Sequence, residues 1–185
     1  EFEMKAFELN PYAKKGAGGD VVAMFAAKYQ LNLDEAQAKV DSINEMARSA
    51  GLDFDYAKVF HTNTFDAHRL TRMALEKGGP ELQGRVSERL YRAYFAEYLD
   101  VADQEVLVKI AKDEGLEETE VRAMLAGKAF TDEVSLDERE AQLSRITSVP
   151  CFVINEKVAV PGAMPKDQFK DLIKKYFPGE VPTAI

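Results

Sequence analysis

The residue best suited to covalent chemistry is Cys151, the single cysteine of the chain. A lone thiol can form a mixed disulfide but cannot cycle as a dithiol. It follows Ser148-Val149-Pro150 and heads an apolar run, Cys151-Phe152-Val153-Ile154. No basic neighbour in sequence favours a thiolate, so its surroundings favour a small core residue at a strand start. The other reading, an accessory thiol beside a reactive centre, stays open. Pro150 by itself suits a strand start, where the missing N–H is harmless. His61 and His68 are the only two histidines and have no third ligand at metal-site spacing, so they read as structural and no metal is expected. The run Lys14-Lys15-Gly16-Ala17-Gly18-Gly19 lacks the preceding strand and the following Lys-Ser/Thr of a phosphate loop, and is expected to be a flexible loop. The carboxylates fall mostly on polar helix faces at helical spacing from Lys or Arg, so no acid–base dyad is expected.

The elements that must position these residues follow from periodicity. Phe2, Met4 and Ala6 alternate with charged neighbours, which predicts a strand over 2–9. From Asp20 the spacing becomes helical. Asn32 and Glu35 form a capping box ahead of Ala36, Val40, Ile43 and Ala47, and Gly51 supplies the stop. Asn63 and Asp66 repeat the box ahead of Leu70 and Met73, and Gly78-Gly79-Pro80 closes that helix. Leu82, Val86, Leu90, Tyr94 and Tyr98 make a further stripe. A helical hairpin is expected over 103–114 and 117–126, and a last helix over 132–145. Cys151-Phe152-Val153-Ile154 and Lys157-Val158-Ala159-Val160 read as a hairpin turning at Asn155-Glu156. Pro165 then opens a helix that faces a core with Phe169, Leu172, Ile173 and Tyr176 and ends at Pro178-Gly179.

Composition bounds the function. With 185 residues, 46% of them hydrophobic, the chain can bury a sizeable core. A net charge of -8 repels phosphate backbones and anionic lipid heads, which argues against nucleic acid and membrane as partners. No apolar run approaches the roughly 18 residues of a membrane span, and no basic and apolar leader opens the sequence. A soluble cytoplasmic protein is the expectation.

Four segments taken in order resemble the DsbA-like thioredoxin superfamily, most closely its FrnE-type branch. They are Phe7-Glu8-Leu9-Asn10-Pro11; Asn63-Thr64-Phe65-Asp66-Ala67-His68-Arg69-Leu70; Arg89-Leu90-Tyr91-Arg92-Ala93-Tyr94-Phe95; and Val149-Pro150-Cys151-Phe152-Val153-Ile154-Asn155 followed by Ala159-Val160-Pro161-Gly162-Ala163. The resemblance implies an α/β fold, a thioredoxin-like core split by a large all-helical insertion. Residues 1–10 and 147–185 would form the core, incomplete as given, and 19–146 the insertion. It also implies a cis peptide before Pro150, with Ser148, Val149 and Pro150 positioning substrate. Cys151 stands where the branch usually has a bulky apolar residue, and Arg145 and Ser148 stand where the family often has Gly.

The family's chemistry uses a Cys-x-x-Cys at the start of the first helix, where the helix dipole stabilises a thiolate. The opening strand matches the family's second strand, so the resemblance places the first strand, the first helix and the dithiol upstream of Glu1. No catalytic residue then lies in this chain, which is expected to be inactive alone. The missing strand would lie between 2–9 and 152–154, which should therefore not pair. The implied function is thiol–disulfide exchange on disulfide-bearing proteins or small thiols. It needs no bound cofactor, takes glutathione or another low-molecular-weight thiol as co-substrate, and is compatible with a homodimer. The alternatives are a glutathione-dependent isomerase or transferase of the same fold, which use serine for the first cysteine, and a redox-inactive binding module.

Overall fold

The structure is a computed structural model that describes residues 2–155 and 158–177. Chain contacts divide it into two compact units, Glu1–Glu138 and Arg139–Ile185.

Helix ends in the first unit are set by the residues that satisfy them. Asp20 caps α1 (Val21–Tyr29) by accepting from the Val22 and Ala23 amides. At α2 (Leu33–Ser49) the capping box is complete: Asn32 Oδ1 accepts from Glu35 N–H at 2.9 Å, and Glu35 Oε2 accepts from Asn32 N–H at 3.0 Å. Two otherwise orphaned amides are thereby satisfied. Gly51 takes the left-handed conformation after α2, at φ 77°, and the Leu52 amide turns back to the Ala47 carbonyl at 2.9 Å. Val21 and Phe25 of α1 pack on Ala36 and Val40 of α2.

The larger core lies along α3 (Phe65–Phe95), α4 (Gln104–Asp113) and α5 (Glu118–Ala126). Leu70, Val86, Leu107, Ile110 and Val121 are almost wholly excluded from water. α3 is two helices in sequence, and the first ends at Gly78-Gly79 as its composition predicts. The helix breaks there and resumes, with Gly79 at φ 70° and ψ -168°, a conformation open to glycine. Pro80 starts the second half, where its missing N–H costs nothing. The second capping box is absent. Thr64 is the capping position without a side-chain bond, Asn63 Oδ1 accepts from Phe65 N–H, and Asp66 turns to Lys15 and Arg69. Tyr98 lies beyond α3 at φ 56° and is not part of its stripe.

The opening segment is not a strand. Ala6 and Glu8 are buried, but the Ala6 amide donates to the Asp137 carboxylate at 2.9 Å rather than to a ladder. Of the alternating apolar residues only Ala6 is buried, while Phe2 is exposed; a strand also needs a neighbour to pair with, and none lies beside 2–9 among the described residues. Residues 14–19 are tethered rather than loose. Gly16 N–H donates to Thr62 Oγ1 at 3.1 Å, Gly18 N–H to the His61 carbonyl at 3.0 Å, and Lys15 pairs with Asp66.

The boundary between units falls inside α6 (Thr131–Leu143). In the second unit β1 (Cys151–Ile154) and β2 (Val158–Pro161) form an antiparallel hairpin with Cys151 opposite Pro161 and Ile154 opposite Val158. Asn155 enters the turn at φ 49°; Glu156, Lys157 and the expected stop at Pro178-Gly179 lie outside the described residues. α7 (Lys166–Tyr176) starts one residue after Pro165, and its Phe169 ring meets Phe152 of β1 at 4.8 Å between centroids. Mostly helical, with one two-stranded sheet among the described residues, this is a thioredoxin-like α/β fold carrying a large helical insertion.

Candidate functional site

α6 ends in a left-handed residue, Arg145 at φ 56°. The Arg145 amide returns to the Gln142 carbonyl at 3.0 Å and the Ile146 amide to Ala141 at 2.8 Å. This pair of bonds ends a helix sharply, and the chain that emerges presents Ser148, Val149 and Pro150 to solvent, Val149 at 46% exposure. The Val149–Pro150 peptide is cis. The Pro150 carbonyl accepts from Gly162 N–H at 2.7 Å, which ties the step to the far strand of the hairpin. The main-chain N–H and C=O of Val149 have no hydrogen-bond partner among the described residues.

Beside this step lies a mainly apolar hollow of about 310 Å³ lined by Pro150, Phe152, Ala163, Met164, Lys166 and Phe169. Cys151 is half-buried and free, directly after the exposed step. The outer edge of β1 has no strand beside it among the described residues. Unpaired main-chain groups, a strand edge and an apolar hollow together can receive an extended peptide backbone and one of its side chains.

Elsewhere the polar residues are engaged in holding the fold. Arg69 is buried and donates to Asp66 and to the carbonyls of Met124, Gly127 and Ala129. Tyr94 Oη and His61 Nδ1 are 3.1 Å apart within a cluster that includes Tyr56 and Phe95. Burial lowers the His61 pKa, helped by the Lys28 charge, and burial lowers that of His68 against the opposing pull of the Phe7 backbone. No group of metal-ligating side chains occurs among the described residues, and no helix among them is long and apolar enough to cross a membrane.

The family model of the DSBA-like thioredoxin domain matches residues 1–174. The chain belongs to this DsbA-like family. It is 36% identical to a Streptomyces coelicolor protein whose crystal structure is that of a "probable DsbA oxidoreductase", with a TM-score of 0.85 over 98% of this chain and 77% of that one. It is also 28% identical over 141 residues, 71% of its length, to the uncharacterised protein YwbO of Bacillus subtilis strain 168. The chain spans 65% of YwbO.

Within the DsbA-like fold the structure brings Ser148, Val149, Pro150 and Cys151 together as consecutive residues at the mouth of the hairpin. Sequence reasoning did not find the hollow. Its signal was present in Phe169, placed on the apolar face of α7, but the pairing of Phe169 with Phe152 is made only by the hairpin fold.

Proposed function

We propose that the gene product carrying this chain catalyses thiol–disulfide exchange, and that the chain's own contribution is to hold the substrate. Val149 and Pro150 present main chain to an extended segment of a disulfide-bearing protein, or to a small thiol such as glutathione, while the hollow lined by Pro150, Phe152, Met164 and Phe169 takes an adjacent side chain. The observation that carries the reading is the exposed Val149 step with main-chain groups unpartnered among the described residues, in a chain 36% identical to the "probable DsbA oxidoreductase" of Streptomyces coelicolor. Residues 1–10 and 147–185 act as the thioredoxin-like part in this reading, which also takes up the resemblance to the FrnE-type branch.

Residues 1–185 hold one thiol, and a dithiol cycle moves two electrons through two sulfurs. The redox pair therefore includes at least one sulfur outside these residues. The purified chain should show no turnover in an insulin-reduction assay with dithiothreitol as reductant, beyond the uncatalysed rate. Turnover that survives Cys151→Ser would contradict this division of labour.

A further inference from the structure

The opening segment carries a buried carboxyl that the proposed exchange chemistry does not use. Glu8 is only 8% exposed. Its Oε1 accepts from Asn63 Nδ2 at 3.0 Å, Thr64 N–H at 3.3 Å and Thr64 Oγ1 at 3.4 Å, all at the start of α3. Two residues earlier the Ala6 amide donates to Asp137 of α6 at 2.9 Å, which brings the opening segment against α6 beside Glu138, the neighbouring carboxyl that raises the Glu8 pKa. Glu138 Oε1 is itself shielded from water and receives no N–H or O–H bond among the described residues. Two neighbouring carboxyls away from solvent cannot both be ionised without a large repulsion, so they settle by holding one proton between them.

Cations on the surrounding elements are committed elsewhere. Lys15 of the tethered loop pairs with Asp66 of α3, and Arg69 of α3 pairs with Asp66 and three carbonyls. Arg72 of α3 and Lys5 of the opening segment both reach Asp137 of α6, and both also approach Glu3. His68 of α3 faces the Phe7 backbone and the Asp137 charge. None of these ion pairs includes Glu8 or Glu138.

We propose that Glu8 and Glu138 share one proton that latches the opening segment to α3 and α6, and that loss of this proton to solvent loosens the segment. Burial and the neighbouring Glu138 carboxyl push Glu8 up to about 7, against the opposing pull of the Thr64 donors. The folded state then holds a proton that the unfolded state has released. The latch is at full strength below about pH 4.5, the ordinary value, and weakens as pH rises to about 7. From well below pH 4.5 to well above pH 7 the unfolding equilibrium constant should rise by about 300-fold from this pair alone.

Carbon-13 NMR of the side-chain carboxyls of the full chain tests the latch directly, together with urea unfolding at a series of pH values. One carboxyl of the pair should titrate above pH 6. Protection of the Ala6 and Thr64 amides, corrected for intrinsic exchange, should fall between pH 6 and 8. Glu8→Gln imitates the protonated acid and should remove most of the pH dependence over this range. The proposal is overturned if both carboxyls titrate below pH 5, or if Glu8→Gln keeps the parent's profile. Should that variant fail to fold, the carbon titration of the parent decides by the same criterion.

Discussion

Asp137 offers a sharp test of how the first unit is held together. Its side chain is 1% exposed and meets Arg72, itself 13% exposed, as well as Lys5 at 3.3 Å. It also accepts the Ala6 amide at 2.9 Å. Asp137→Ala removes three partners at once. It leaves the largely buried Arg72 with only the longer 3.9 Å approach to Glu3, and breaking a buried pair from one side costs about 3–5 kcal/mol. Lys5 adds little, because its side chain is 48% exposed and exposed pairs contribute at most about 1 kcal/mol. Asp137→Asn keeps an acceptor for Ala6 and should cost about 1.5–3 kcal/mol, the range for hydrogen bonds to charged groups. Replacing both partners, Arg72→Met with Asp137→Leu, removes the stranded charge and should leave only the orphaned Ala6 amide, about 1–3 kcal/mol. Urea unfolding at pH 7 measures all three against a typical stability of roughly 5–15 kcal/mol. The reasoning fails if Asp137→Ala costs less than about 1 kcal/mol, or if the double replacement is worse than the alanine.

Two other outcomes follow from single features. Arg145 sits at φ 56° where glycine closes the equivalent turn after α2 at φ 77°; Arg145→Gly should stabilise by about 0.5–1 kcal/mol, the left-handed strain of about 1–2 less the added chain entropy of glycine. Denaturant midpoints read it, and a loss of stability would show that the Arg145 side chain contributes more than its backbone costs. Burial lowers the pKa of His61 and His68, so their stabilisation is present above their ordinary value of 6.5 and lost as pH falls through the lowered folded values. His61→Gln with His68→Gln should therefore lose less stability than the parent between pH 7 and 5, and an unchanged profile would count against burial as the cause.

How much of this was legible in the sequence depended on whether the signal was local. The capping box at Asn32 and Glu35, the stop at Gly51 and the hairpin at 151–161 were readable because each is closed by residues a few positions apart. The segment 2–9 shows where this ends. Its alternation correctly marked Ala6 as buried, but strand against irregular chain is decided by a partner, and the partner of Ala6 is a side chain 131 residues away. Asn63 and Asp66 had the spacing of a capping box, yet Lys15 and Arg69 took Asp66, a competition no local pattern encodes. The Glu8–Glu138 pair was invisible for the same reason. At the site, Ser148, Val149, Pro150 and Cys151 were found because they are contiguous, whereas the hollow beside them needed α7 folded back onto β1.

The central claim is that the Val149 step receives substrate backbone. The direct measurement is an amide NMR titration of the chain with a short extended peptide containing a disulfide, run on the parent and on Val149→Pro, which deletes the exposed amide donor. The account predicts shifts confined to Ser148, Val149, Cys151, Phe152 and the Phe169 face of α7, and binding weakened at least tenfold in the variant. Shifts spread over the helical unit, or unchanged binding by Val149→Pro, would contradict it.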